Sequence, residues 1–156
     1  MKKLRFFLVG IIFFFSSDHL LAQKDSIRLF CPLEEAVVVP PPKNAIQYDP
    51  PDLCIVLTSL PDSIVKSVAN ARVTNVEIDE EGKYGVVIFS KINNKDYYFW
   101  YTGLKKSIVS KNTLVKAGQA IGFIEPGGRV EMLMYQFETQ LDPSKYLDCK
   151  NVLKNE

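Results

Sequence analysis

Histidine is almost missing from this chain: among 156 residues there is one, His19. It lies in an apolar N-terminal segment, so the chain beyond that segment holds no imidazole for a Ser–His or Cys–His nucleophile pair or for a zinc site. Cysteine is scarce too, with three residues. No Cys-x-x-Cys pair or Cys/His cluster supports a cysteine-based metal site. Charge of one sign is also lacking, since 19 Lys and Arg face 18 Asp and Glu. That balance leaves no basic stripe for nucleic acid or anionic lipid. The apolar run Phe6–Phe15 is too short to span a bilayer comfortably. Long internal repeats and low-complexity tracts are absent.

What is present begins with a leader. Lys2, Lys3 and Arg5 precede the apolar run and Leu20-Leu21-Ala22 closes it, the layout of a secretory signal peptide over residues 1–22. An uncleaved anchor is the alternative. No Cys follows the run directly, which argues against a lipoprotein. Cleavage near Ala22 predicts a secreted or periplasmic chain with no remaining membrane span. It would carry 16 Lys and Arg against 17 Asp and Glu, a side-chain charge near −1. In that oxidising compartment Cys31, Cys54 and Cys149 allow three single pairings. Cys31 and Cys149 bracket the globular part and are the favoured disulfide. Cys54, inside the apolar run Leu53–Leu57, reads as an inert core cysteine.

At 47% hydrophobic and 12% aromatic, the chain can bury one core. Residues 23–51 read as an N-terminal lead and Pro-rich loop. Glu35–Val39 is a candidate edge strand, and Pro40–Pro42 and Pro50-Pro51 exclude a central strand or a helix between them. The loop reads as a rigid connector, because no PxxP repeat marks a recognition peptide. Residues 52–149 form the β domain and residues 150–156 a tail. Strands are expected at Leu53–Thr58, Tyr84–Ile92, Tyr97–Tyr101, Ser107–Val109, Gln119–Phe123 and Arg129–Glu138. Asp79–Gly82, Asn93–Lys95 and Lys116–Gly118 are the turns, with Gly118 free to take positive φ. Closely spaced strands with turn chemistry between them predict an all-β sandwich or barrel, and Pro143–Leu147 is one short C-terminal helical turn.

Val65-Lys-Ser-Val-Ala-Asn-Ala-Arg-Val73 is similar to the VKAVADGVV strand of LytM/lysostaphin-type zinc peptidoglycan endopeptidases. Gly82–Phe89 resembles their GYGNxVxI hairpin, Tyr101–Leu104 their YAHL, and Val115–Gly122 their VxxGQxIG. Phe137-Glu138 resembles the end of HLHFE, and Asp142–Leu147 the closing DPxxYL. The motifs stand in the family's order over roughly residues 52–147. The resemblance implies a duplicated hybrid motif, a two-sheet LytM-like β sandwich or barrel with a groove.

It also implies a zinc ion held by His, Asp and His with catalytic histidines beside it, the metal acidifying a bound water. At the matching positions the imidazoles are gone. The His-x-x-x-Asp pair falls near Asp52 and Val56, the YAHL histidine is Gly103, and the HLHFE histidines are Met134 and Gln136. A thioether and a neutral amide do not replace imidazole for zinc. The expectation is therefore a pseudo-endopeptidase with no catalytic residue, metal or cofactor, which binds peptidoglycan or an envelope protein. Strand alternation puts Met132, Met134 and Gln136 on one face. With Gly103 and Tyr101 they are expected to floor a soft apolar groove, unless Met134 fills the vacated site as core.

Other chemistry has weaker footing. Asp79-Glu80-Glu81 reads as a solvated turn tip rather than a carboxylate pair. Lys105-Lys106 reads as a solvated pair, and serine lacks a histidine base, which leaves it only Ser–Lys arrangements; a cell-wall hydrolase with a non-histidine site is the enzymatic alternative. A scaffold β-domain of an envelope assembly is the other alternative. Lys116 sits near a hairpin tip but lacks the Met-Lys-Met context of a biotinyl carrier. In Tyr97–Tyr101 half the side chains should be core and half exposed, and core packing explains the run better than carbohydrate stacking.

Overall fold

The computed structural model describes residues 27–40 and 53–150. The expected signal peptide, most of the proline-rich loop and residues 151–156 lie outside the described residues. Among those described the chain is almost wholly β. The strands are β1 Leu29–Phe30, β2 Val37–Val38, β3 Ile55–Thr58, β4 Ile64–Lys66, β5 Ala71–Ile78, β6 Tyr84–Ile92 and β7 Lys95–Leu104. They continue as β8 Lys106–Ser107, β9 Leu114–Val115, β10 Ala120–Phe123, β11 Arg129–Gln136, β12 Thr139–Leu141 and β13 Leu147–Asp148. A single 3-10 turn, Pro143–Lys145, stands where the helical turn is expected. Asp142 caps it by accepting the Ser144 N–H at 3.0 Å.

The large sheet runs β2-β3-β11-β7-β6-β5-β9, with β12 added on β11, and β4-β10-β8 form a second sheet. Hairpin β6–β7 is its longest pairing, and the turn explains the register. Asn93 and Asn94 both take positive φ, 49° and 60°, which closes a two-residue hairpin whose twist suits the strands. At the next turn Asp79 Oδ1 accepts the N–H groups of Glu81 and Lys83, and Gly82 supplies a φ of 78°. Gly118 likewise has φ 77°, and the Phe30 ring comes within 3.0 Å of where its Cβ would be.

Alternation sorts the central strands cleanly. Val86 and Ile88 of β6, Phe99 and Tyr101 of β7, and Val130, Met132 and Met134 of β11 are fully buried on the inner face. With Val65, Val68 and Ile121 they form one core. Each such side chain contributes about 1.5–3 kcal/mol by leaving water. The Tyr101 hydroxyl satisfies itself inside that core by accepting the Val68 N–H at 3.0 Å. Burial pushes its pKa well above the ordinary tyrosine value, against the opposing pull of that N–H.

The segment read as a lead outside the domain belongs to it. Leu29, Leu33 and Ala36 are buried with the core, and β1 pairs in parallel with β13, Leu29 opposite Leu147. The N–H of Lys66 donates to the Pro32 carbonyl at 2.8 Å. β2 is an edge strand of the large sheet, where the valine run suggests one. Cys31 and Cys149 are disulfide-bonded with Cα atoms 5.0 Å apart. Cys54 lies just before β3 and is half-buried, not a core residue, because the inward positions of that strand are Ile55 and Leu57.

That cross-link joins cysteines 118 residues apart. Cys31→Ser combined with Cys149→Ser should therefore lower the unfolding free energy by about 2–5 kcal/mol in denaturant titration. An unchanged midpoint would show that β1 docks without it. Tyr101 gives a pH signature of opposite origin. Its folded pKa lies above its unfolded one, so the stability it contributes is complete below about pH 10 and falls as pH rises beyond that. Tyr101→Phe should cost about 1–2 kcal/mol at neutral pH by orphaning the Val68 N–H. It should also flatten the alkaline decline, and an identical decline in both proteins would contradict this origin.

Candidate functional site

Strand β11 lies between β7 and β3, and its register decides which side chains meet. Glu131 stands opposite Thr102 on one side and opposite Val56 on the other, while Arg129 faces Thr58. Neighbouring inner positions are buried, so Val56, Thr102, Arg129 and Glu131 all project from the outer face of the sheet. The Thr102 hydroxyl donates to Glu131 Oε2 at a long 3.5 Å. Arg129 makes no ion pair among the described residues.

Gly103 closes this corner. Its φ is +82°, and a Cβ there would lie 2.9 Å from the Arg129 carbonyl oxygen. Two backbones come together at the residue that the resemblance matches to the YAHL histidine, and the positive φ with this close approach makes it a glycine position. A histidine at this position would require β7 and β11 to separate.

The expected groove floor of Tyr101, Met132 and Met134 is not a groove. All three are fully buried on the inner face. Alternation groups these residues correctly but does not say which face is open. Apolar side chains with no polar atoms left over fill the interior, and Met134 packs there as core. Met134 pairs with Phe99 and Gln136 with Tyr97. They sit four and six residues along β7 from Gly103, roughly 13 and 20 Å at strand rise. Gln136 is half-buried and its Oε1 accepts the Tyr97 hydroxyl at 3.3 Å. Burial, with a smaller contribution from nearby Tyr146, raises the Tyr97 pKa. The structure therefore brings together Gly103, Arg129, Glu131 and Val56, and leaves Met134 and Gln136 outside that corner.

Arg129 and Glu131 were hidden in the sequence because they resemble no part of HLHFE. The hairpin length held the signal. The β11–β12 turn is only Phe137-Glu138, so residues at the level of Gly103 must come well before it.

An all-β domain with a six-motif order and this three-strand corner defines a peptidase-like class of fold. The sequence pattern of peptidase family M23 matches residues 54–146, and the chain belongs to that family. Solved structures agree on the fold. SpoIIQ in "Structure of the SpoIIQ-SpoIIIAH pore forming complex" is the kind of neighbour found: that chain is 17% identical with a TM-score of 0.57, covering 79% of this chain and 92% of that one. Csd3 of Helicobacter pylori in its hexagonal crystal is 17% identical with a TM-score of 0.58, covering 78% of this chain and 33% of that one. The cbpa structure from L. salivarius REN is 18% identical with a TM-score of 0.53, covering 76% and 82%. No curated protein matches this chain in sequence.

The zinc that the resemblance implies does not fit this corner. Its donors amount to one carboxylate, Glu131, beside a valine and a guanidinium whose positive charge opposes a dication. Among the described residues no three His, Cys, Asp or Glu side chains cluster as metal ligands. Asp52 lies outside the described residues.

The two faces make opposite mutational predictions. Met134→Glu buries a carboxylate in the core and should unfold the domain, or cost at least about 3 kcal/mol. Glu131→Ala on the outer face should stay within about 0.5 kcal/mol of the parent. Thermal melts showing a stable Met134→Glu protein would return Met134 to an open groove.

Proposed function

We propose that this chain is an exported, catalytically inactive peptidase-like domain acting as a binding or regulatory module at the bacterial cell envelope. Its partner is peptidoglycan or a cell-wall hydrolase. The observation that carries the reading is the corner of Gly103, Arg129, Glu131 and Val56. Where zinc hydrolysis needs imidazole to hold the metal and move protons, this corner offers none. The sheet beneath is intact, because Val130, Met132 and Tyr101 maintain the core whether or not chemistry occurs above it. An intact sheet surface that lacks metal ligands suits contact rather than turnover. The solved relative SpoIIQ, described as part of a pore-forming complex, supports a role in protein contacts for this fold. The basic-then-apolar leader supports export, and no helix among the described residues is long and apolar enough to cross a membrane.

Purified protein should contain well under one zinc per chain by elemental analysis and leave the turbidity of a cell-wall suspension unchanged. It should nevertheless co-sediment with isolated sacculi or capture a wall hydrolase from envelope extract. Stoichiometric zinc with chelator-sensitive clearing of the walls would refute the reading. The N-terminus of exported material should be at or near Gln23 by mass spectrometry.

A further inference from the structure

Beyond the Gly103 corner, the outer face of the same sheet carries an open aromatic trough of about 380 Å³. Tyr98, Trp100, Tyr135 and Phe137 line it, with Asn75 and Glu77 from β5. The sheet fixes the rings. Tyr98 stands opposite Tyr135, and its ring tilts against Phe89 with centroids 5.2 Å apart. Trp100 is held between Leu133 and Val87. Tyr98 and Trp100 each remain 37% exposed. Phe137 is 69% exposed on a backbone φ of 55°, a conformation that bulky residues rarely adopt. A turn that wanted only to close would use asparagine or glycine there.

Glu77 supplies the charge. A Cβ on Gly85 would lie 3.0 Å from its Cγ, so the missing side chain lets the glutamate lie against the sheet. Asn75 Nδ2 donates to its Oε2 at 3.2 Å. Among the described residues no Lys or Arg forms an ion pair with it. A carboxylate without a cation beside aromatic faces is complementary to an organic cation, which the ring quadrupoles and the carboxylate both attract. The exposed carboxylate and the Asn75 amide oxygen are hydrogen-bond acceptors, and an organic cation bearing N–H groups can donate to them as well as neutralise the charge.

We propose that this trough binds the primary ammonium group of a lysine-like side chain presented by a peptide. The ammonium sits against Glu77, and its methylene stem lies across Trp100 and Tyr98. The site stands whether the envelope partner is wall or protein. Trp100 is the chain's single tryptophan and reports on it directly.

The test titrates the full domain with the peptide acetyl-Ala-Lys-Ala-amide, following Trp100 fluorescence and the indole N–H resonance. Saturable changes are expected, weakened by added salt. Glu77→Gln should raise Kd roughly tenfold, while Glu81→Gln on the remote turn should leave it unchanged. The Nε-acetylated peptide, which has lost the charge, should bind at least about tenfold more weakly, and so should tetramethylammonium, which has no N–H to donate to Glu77. Equal binding of the acetylated peptide, of tetramethylammonium or by the Glu77→Gln protein would overturn the proposal. So would the absence of any response in both signals, or saturation by N-acetylglucosamine oligomers in place of the peptide. Sacculus binding that survives such a result would leave the envelope role standing without this site.

Discussion

The pairing of β11 with β7 and β3 is the constraint on which the rest depends. It is one strand with two jobs. Inward, Val130, Met132 and Met134 join Phe99 and Tyr101 in the core, and half-buried Gln136 ends that strand face with its Oε1 accepting the Tyr97 hydroxyl. Outward, the same register sets Glu131 between Thr102 and Val56, and brings the Arg129 carbonyl so near Gly103 that no side chain fits. A slip of one residue would exchange the faces and expose the methionines. The two-residue turns at Phe137-Glu138 and Asn93-Asn94 lie together at one end of this pairing, where the Phe137 N–H donates to the Asp96 carbonyl at 3.0 Å.

On the function proposed above, this division of faces lets a peptidase-like fold keep its shape without its chemistry. Residues on the outer face can be exchanged at a cost in solvation and not in packing, and the inner face is indifferent to the exchange. What stands at the corner here is not an apolar plug. Arg129 and Glu131 stand two residues apart on the outer face with opposite charges and no ion pair between them. Further along the same face the charges give way to aromatic rings. A surface graded from charged to aromatic is suited to recognising a ligand with both characters.

Much of the fold was legible in the sequence because the physics was local. Tyr84–Ile92 is β6 residue for residue, and Tyr97–Tyr101 alternates as period two demands, with Tyr97, Phe99 and Tyr101 in and Tyr98 and Trp100 out. Two things were not local. Leu29 pairs with Leu147 across most of the chain, so a two-residue strand in a polar lead gives no signal of its own. The site required knowing which face of β11 is open and how β11 is registered on β7. Met134 and Gln136 match a motif's spacing from Phe137-Glu138, but the register sets Arg129 and Glu131, not these two, at the level of Gly103. Tyr98 and Trp100 also show that a run whose core half is necessary can use its other half for the surface.

The register of that corner is most directly tested by building a metal site into it. Val56→Asp with Arg129→His and Glu131→His places three donors on adjoining strands of the outer face. Met134→His with Gln136→His places two at the positions that motif spacing suggests. Titrated with cobalt(II) and then zinc, the first protein should develop a d–d absorption spectrum that zinc bleaches, and the second should not. Metal binding by the Met134/Gln136 protein alone would contradict the account.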